Sequence, residues 1–464
     1  MRKLREDADK AIKAAELKPE KLRGIYLASA LSKAATLVNR SVLIPYLAVL
    51  LVPADYAKYV LLISAVTFLS GVDVGIGGGT LAALSKAISA RNFPLAVKIA
   101  NRSYRLTFAL AVVLLGAGLF AHYQWSWLAI LNDMLSAISD SRPVALLAFS
   151  MMVVAQCLFN ISLKILQATY NQGVANIFGL FFNLSLGIAI IVFVCTEQRT
   201  LNTLIQWTII LGVIIQIGCV GKSMLTIQHL AKLGPLLEPP SYGKAERLQF
   251  FGETIPFAVV AVAMFAERES TKWVLGTTGD LVAVGRLGIY SQISISLIGV
   301  IQMLLIPFWP ILLKEASNPF QQYETSVKIL RLSGLVMLGV FVLGAGVAIF
   351  FQPLALKIWG VKYGWSSAEC GAFGLYLICS SPKHILFPLV AGLNAAKRIG
   401  VSYAIEGLLI ISCIIFFHTT ISVTKIFVFL SLINFLVSLP IFTAFSVKRV
   451  RSMGGTVRPA GAEA

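Results

Sequence analysis

Apolar runs of about 20 residues recur from roughly residue 25 to residue 446, separated by short polar stretches. A helix of ~20 residues rises far enough to cross the hydrocarbon core of a bilayer. The pattern predicts twelve such spans, at approximately 25–51, 56–83, 105–122, 144–165, 175–194, 203–222, 249–273, 286–313, 332–351, 368–392, 400–418 and 424–446. A membrane β-strand would alternate apolar and polar positions. Runs such as Phe108-Ala-Leu-Ala-Val-Val-Leu-Leu115 do not alternate. The expected fold is therefore all-α, a bundle of transmembrane helices.

The longest polar gap, 223–248, falls at the midpoint and carries Pro235, Pro239 and Pro240, which suits a linker. Six spans lie on either side of it. The expected organisation is a short N-terminal segment (1–24), a first six-helix lobe (25–222), the linker (223–248), a second lobe (249–446) and a tail (447–464). An even number of spans per lobe makes any repeat a parallel one. One internal echo fits that: Tyr59 near the start of span 2 and Tyr290 near the start of span 8 stand 231 residues apart.

Composition agrees with the pattern. Hydrophobic residues make up 57% of the chain and charged residues 13%, with a mean hydropathy of +0.82. The net charge of +18 is distributed unevenly. With the N-terminus inside, the inner segments hold 27 Lys and Arg and the outer ones 9. Basic residues collect on the cytoplasmic side of short loops, so both termini are expected in the cytoplasm. The basic balance thus reports topology, and no nucleic-acid partner is expected. The first 24 residues pair Arg5 with Asp9 and space charges at helical intervals, without the apolar core of a signal peptide. Two readings fit them: an amphipathic helix on the inner surface or a solvated tail.

Enzyme chemistry finds little footing. The outer loops, about 123–143 and 352–367, are too short for a catalytic domain. His122, His229, His384 and His418 are scattered, and the six cysteines form neither a disulfide framework nor a metal cluster. The stretch Gly75-Ile-Gly77-Gly78-Gly79 lies inside a span with no strand before it, so it reads as a helix break or a close-packing site rather than a phosphate loop.

Ionisable groups inside spans are costly and usually face a protein interior or a wet cavity. Span 1 carries Lys33 and, two turns later on the same face, Arg40 beside Asn39. Span 10 carries Pro382-Lys383-His384 and span 2 carries Asp73. Span 7 ends on Glu267-Arg268-Glu269, which reads as an outer-interface cluster or a cavity group. Glu253 and Glu406 read as interfacial. Lys33 either snorkels to the inner surface or joins Arg40. Asp73, the one deep carboxylate in this reading, either neutralises Arg40 or couples transport to an ion. Deep cations in both halves, Arg40 and Lys383, imply a positive vestibule that attracts an anionic ligand such as a pyrophosphate. An exporter of organic cations would instead need buried carboxylates.

Several segments resemble the polysaccharide-repeat flippases, the Wzx-type O-antigen transporters, in the superfamily that also holds multidrug/toxin extruders and lipid II flippases. They are Tyr59…Asp73-Val-Gly75 in span 2, Leu287-Gly-Ile-Tyr290 in span 8, Ile306-Pro-Phe-Trp309-Pro310…Glu315-Ala316 and Gly392-Leu-Asn394…Lys397. The chain departs from the pattern at the end of span 7, where Thr271-Lys272…Leu275-Gly276 lacks the acid that relatives place before the base. The resemblance implies an all-α membrane protein of twelve transmembrane helices in two six-helix, multidrug/toxin-extruder-like lobes. It implies alternating access, with an undecaprenyl-pyrophosphate-linked oligosaccharide turned from the inner to the outer leaflet of a bacterial inner membrane. Arg40, Lys383, Lys33, Arg268 and Asn39 are then the expected substrate contacts, and Asp73 the coupling residue. No cofactor is expected beyond a proton or sodium gradient. Expected partners are the lipid-linked pyrophosphate, membrane lipids, a polysaccharide polymerase and a chain-length regulator. A multidrug antiporter of the same fold and a membrane polymerase or ligase are the alternatives.

Overall fold

The structure is a computed structural model. It describes residues 34–71, 73–89, 92–124, 141–169, 171–196, 200–233, 266–305, 319–393, 396–417 and 421–457, with a few isolated positions between them. Among these residues every regular element is helical. The reason is solvent: in hydrocarbon a spanning segment must satisfy its own backbone polar groups.

A π turn at Asn39–Leu43 leads into helix α1 (Ile44–Leu50), followed by α2 (Pro53–Gly71) and α3 (Asp73–Ser89). Then come α4 (Phe93–Gln124), α5 (Arg142–Ala168), α6 (Gln172–Cys195) and α7 (Leu201–Leu233). A second π turn, Ala266–Ser270, opens α8 (Thr271–Thr277), and α9 (Leu281–Leu305) and α10 (Pro319–Trp359) follow. The last helices are α11 (Ser367–Gly392), α12 (Ala396–Phe417), α13 (Val423–Ile433) and, after a π turn at Asn434–Ser438, α14 (Leu439–Val457). This order is consistent with twelve spans in two lobes. Among the described residues six of these helices, α5, α6, α7, α9, α10 and α11, are each long and apolar enough to cross a membrane, as is the continuous stretch of α13, its π turn and α14.

Four helices outrun the hydropathy pattern by many residues. α4 begins at Phe93 rather than near 105, α7 continues to Leu233, α14 continues to Val457 rather than ending near 446, and α10 covers 41 residues, or ~60 Å. Their extra turns are polar. In α10 an exposed Glu324–Lys328 pair closes at 2.8 Å. Hydropathy ends a span where the chain meets water, whereas the backbone helix carries on.

The chain divides into two compact units. The first comprises residues 1–43 and 62–261. Its core joins α3, α4, α5 and α7 through Leu84, Ile99, Tyr104, Ile161, Ile165 and Ile227. The Tyr104 hydroxyl meets Ser162 Oγ at 2.6 Å and donates to Ser223 Oγ at 2.9 Å, tying three helices. Gly77 is buried against the stem of Lys164, which identifies the glycine-rich stretch of α3 as a packing site within an unbroken helix.

The second unit comprises residues 44–61 and 262–464. Ile44–Leu61 thus packs with the second half of the chain, although the sequence divides the lobes at 223–248. Carbonyls of this hairpin accept from Trp359 Nε1 (Pro45 O, 2.8 Å), Tyr363 Oη (Ala48 O, 3.0 Å) and Lys362 Nζ (Leu51 O, 3.0 Å). α10 and α11 approach closely enough that a Cβ on Gly374 would stand 2.4 Å from the Gly344 carbonyl. The turn between them needs Gly360 (φ 75°) and Gly364 (φ 60°) in the left-handed region. Tyr290 sits inside a nest of Phe351, Trp365, Phe373 and Phe427, with ring centroids 4.6–5.6 Å away. Outward faces stay apolar, as at Leu335, Phe350 and Phe416, each at least two-thirds exposed, because they contact lipid.

Candidate functional site

The second unit buries a cluster of charges built on two of the π turns. A π turn inserts one residue into the helical ladder and re-aims the side chains on it; such turns often mark functional sites. The first turn, Ala266–Ser270, aims Glu267 inward. The second, Asn434–Ser438, supplies Asn434 and Ser438. Between them α11 brings Lys383 directly after Pro382, where the helix lacks one backbone donor.

Lys383 is 1% exposed and its ammonium is held by two carboxylates. Nζ donates to Glu267 Oε2 at 2.6 Å and to Glu406 Oε1. Glu267 Oε1 accepts from Tyr376 Oη at 3.1 Å and from Asn434 Nδ2 at 3.3 Å. Glu406 Oε2 accepts from Ser438 Oγ at 2.8 Å. The Tyr403 ring lies 5.5 Å from Nζ, and His384 is buried on the next position. Every oxygen of both carboxylates is thus engaged. Two carboxylates around one ammonium leave the cluster one negative charge in excess unless a proton joins it.

Arg268 follows Glu267 and differs from Lys383. It is half-buried, and its Nη2 is shielded from solvent with no hydrogen-bond partner among the described residues. It lines a small cavity of about 20 Å³ with Thr271, Ser291, Ser294 and Tyr376, which is room for about one water. Beside it, Lys272 Nζ and Glu269 Oε2 form a buried pair at 2.7 Å. Lys272 thus takes its acid partner from one turn earlier in the chain.

In the first unit, Asn39 and Arg40 open the π turn ahead of α1. Asn39 is 5% exposed and its Nδ2 donates to the Asn183 carbonyl of α6 at 2.5 Å, so this side chain ties two helices. Arg40 is half-buried. Asp73 starts α3, and its side chain lies outside the described residues, as do Lys33, Glu253 and the Trp309-Pro310 motif.

These placements revise the sequence reading at four residues. Lys383 does not line a vestibule as a bare cation; it is sealed against two acids. Glu406 is not interfacial and Glu267 is not part of an outer-interface cluster: each side chain is 2% exposed. Asp73 is accordingly not the one deep carboxylate. A signal for this was present in the sequence. A deep lysine requires an acid partner, and the second half of the chain offers few. Tyr376, Asn434 and Ser438 carried no such signal.

The fold is one that solved transporter structures share. The chain matches no protein-family model and no curated protein. It overlays a multidrug resistance MATE family transporter of the MOP superfamily, in an inward-facing conformation, with a TM-score of 0.65 and 14% identity, over 91% of this chain and 96% of that one. It overlays the lipid II flippase MurJ, in an inward closed conformation, equally well: TM-score 0.65, 14% identity, 91% of this chain and 87% of the other. A MOP superfamily transporter from Pyrococcus furiosus gives a TM-score of 0.55 over 92% of this chain and 96% of that one, at 14% identity. At such identities the likeness is one of fold alone, a multi-pass helical fold that these solved proteins share.

Proposed function

We propose that this chain is a flippase that turns an undecaprenyl-pyrophosphate-linked oligosaccharide from the inner to the outer leaflet of a bacterial inner membrane by alternating access, with both termini in the cytoplasm. The observation that carries the reading is Arg268. A buried guanidinium nitrogen with no hydrogen-bond partner among the described residues is under-satisfied where it lies, and a rearrangement that opens its one-water cavity would offer its planar fork to the diphosphate of an anionic headgroup. Arg40, half-buried in the π turn of the first unit, stays a candidate substrate contact on its own account. The likeness to a lipid flippase supports a lipid-borne cargo. Lys383 serves the site indirectly, by holding Glu267 and with it the turn that presents Arg268. The Glu267–Lys383–Glu406 cluster is the candidate coupling element, able to take one proton or one sodium ion without exposing charge to lipid. Asp73 stands as the second candidate.

A second reading, an organic-cation antiporter, draws on one observation: two buried carboxylates. Their oxygens are all spent on protein donors, which argues against it. One experiment tests both. Proteoliposomes are loaded with a fluorescent undecaprenyl-pyrophosphate-linked oligosaccharide in one assay and with ethidium in another. Arg268→Ala should lower flipping at least tenfold at equal folded protein, and Arg268→Lys should retain part of it. Flipping unaffected by Arg268→Ala, together with ethidium transport that depends on Glu267, would replace the flippase by the antiporter.

A further inference from the structure

Helix α5 has two faces that are not fully packed. One holds Val144, Leu147 and Met151, which are 54%, 64% and 51% exposed and meet lipid. At ~100° per residue the opposite face carries Gln156, Asn160, Lys164 and Gln167, all within a sector of about 80°. In the N-terminal half of the helix this second face is shut: Phe149 is 6% exposed and Val153 is completely buried. In the C-terminal half the four polar residues are only half-buried. Neutral amides turned away from lipid, yet not packed closed, suit a surface that water or a polar ligand can reach.

Part of the stripe is structural glue of the kind expected between membrane helices. Gln216 of α7, buried, donates from Nε2 to Gln156 Oε1 at 2.6 Å, and Gln156 Nε2 donates to Asn160 Oδ1 at 3.1 Å. Lys164 Nζ donates to Gln167 Oε1 at 3.4 Å. Those bonds hold the side chains in place and leave donors over. Among the described residues, Asn160 Nδ2 and Gln167 Nε2 donate to no protein atom. Lys164 lays its stem on α3, where Gly77 has no side chain to lift it away.

We infer that this stripe is a subsite for the sugar portion of the cargo, with Asn160 and Gln167 hydrogen-bonding sugar hydroxyls. The inference rests on the flippase reading and adds a place for the glycan. The chemistry selects the ligand. A prenyl chain would need an apolar wall, and a diphosphate would need more than one cation. An organic cation would need a carboxylate, which this face of α5 lacks. Sugar hydroxyls both donate and accept, as amides do, and a short row of amides on a rigid helix matches a chain of them.

Binding by the full-length protein in lipid nanodiscs separates this inference from the reading it rests on. The probes are undecaprenyl pyrophosphate without sugar and the same carrier bearing neutral oligosaccharides of several compositions. The wild-type protein should bind both classes and prefer at least one glycosylated carrier by roughly tenfold, the scale of one or two hydrogen bonds. The Asn160→Leu/Gln167→Leu double variant should lose that preference and keep its affinity for the sugarless carrier. The milder pair Asn160→Ala/Gln167→Ala should behave alike, and it serves if the leucine variant folds poorly. A variant that keeps the full preference overturns the subsite, as does a wild-type protein with no preference. A wild-type protein that binds neither carrier overturns the flippase reading itself.

Discussion

At the scale of the residue, Lys383 is the costliest side chain in the described part of the molecule. An ammonium at membrane depth survives only with partners, and it has two. Lys383→Met would leave two carboxylates facing each other with no cation. We expect it to lower stability by about 3–5 kcal/mol, seen as a large fall in folded yield and melting temperature in detergent. The triple variant Lys383→Met, Glu267→Gln, Glu406→Gln removes all three charges and should recover most of the loss. If the single variant melts with the wild type, the cluster is solvated and its coupling role falls. Glu406→Gln alone should fold, because the amide can still accept from Lys383 and can donate to Ser438 Oγ. Such a variant should flip at a rate that no longer responds to an imposed proton gradient, if this carboxylate carries the proton. An unchanged response would move the coupling role to Asp73 or to sodium. Sequence reasoning singled out Lys383 because a charge in the middle of an apolar run stands out. It missed Glu267 and Glu406 as partners because each lies toward the end of its run, where depth cannot be told from exposure.

At the scale of the element, α10 and α11 depend on the absence of side chains where they cross. A Cβ on Gly374 would lie 2.4 Å from the Gly344 carbonyl and 2.8 Å from Ala348 Cβ, and neither neighbour is a flexible tip. Gly374→Ala should therefore force the helices apart and cost about 1–3 kcal/mol. Gly371, three residues earlier on the same helix, has open space around it. Gly371→Ala should not lower the melting temperature. Equal effects from the two substitutions would mean that helix propensity, not packing, is being measured. The contrast cannot be read from the sequence, where both are glycines in one apolar helix. The π turns escape the pattern for a related reason. One inserted residue leaves hydropathy unchanged and alters only the direction of the side chains that follow. Helix existence was legible at nearly every span; helix ends in α4, α7, α10 and α14 were not, since polar turns outside the bilayer look like loop.

At the scale of the whole molecule, the charge bias and the even number of spans make a statement about topology. Reporter fusions at Gly243, in the central linker, and at Arg199, after the fifth span, should give opposite outputs, cytoplasmic for the first and external for the second. The same output from both would break the twelve-span order. The echo between Tyr59 and Tyr290 acquires a different meaning from packing: Gly288 abuts Val60 and Gly285 abuts Tyr56, so the two similar segments touch within the second unit. By itself the sequence determined that the chain is helical, that it crosses the membrane many times, and which charges are out of place. Each of these follows from one helix meeting one solvent: the backbone must satisfy itself, and the side chains must match lipid or water. Only the tertiary structure decided which helices are neighbours, why Ile44–Leu61 joins the second half, and that Lys383 is sealed between two carboxylates while Arg268 Nη2 has no hydrogen-bond partner among the described residues. Lipid is as apolar as a neighbouring helix, so hydropathy does not distinguish a lipid-facing leucine from a packed one. That distinction rests on small-residue contacts and hydrogen bonds between segments far apart in the chain.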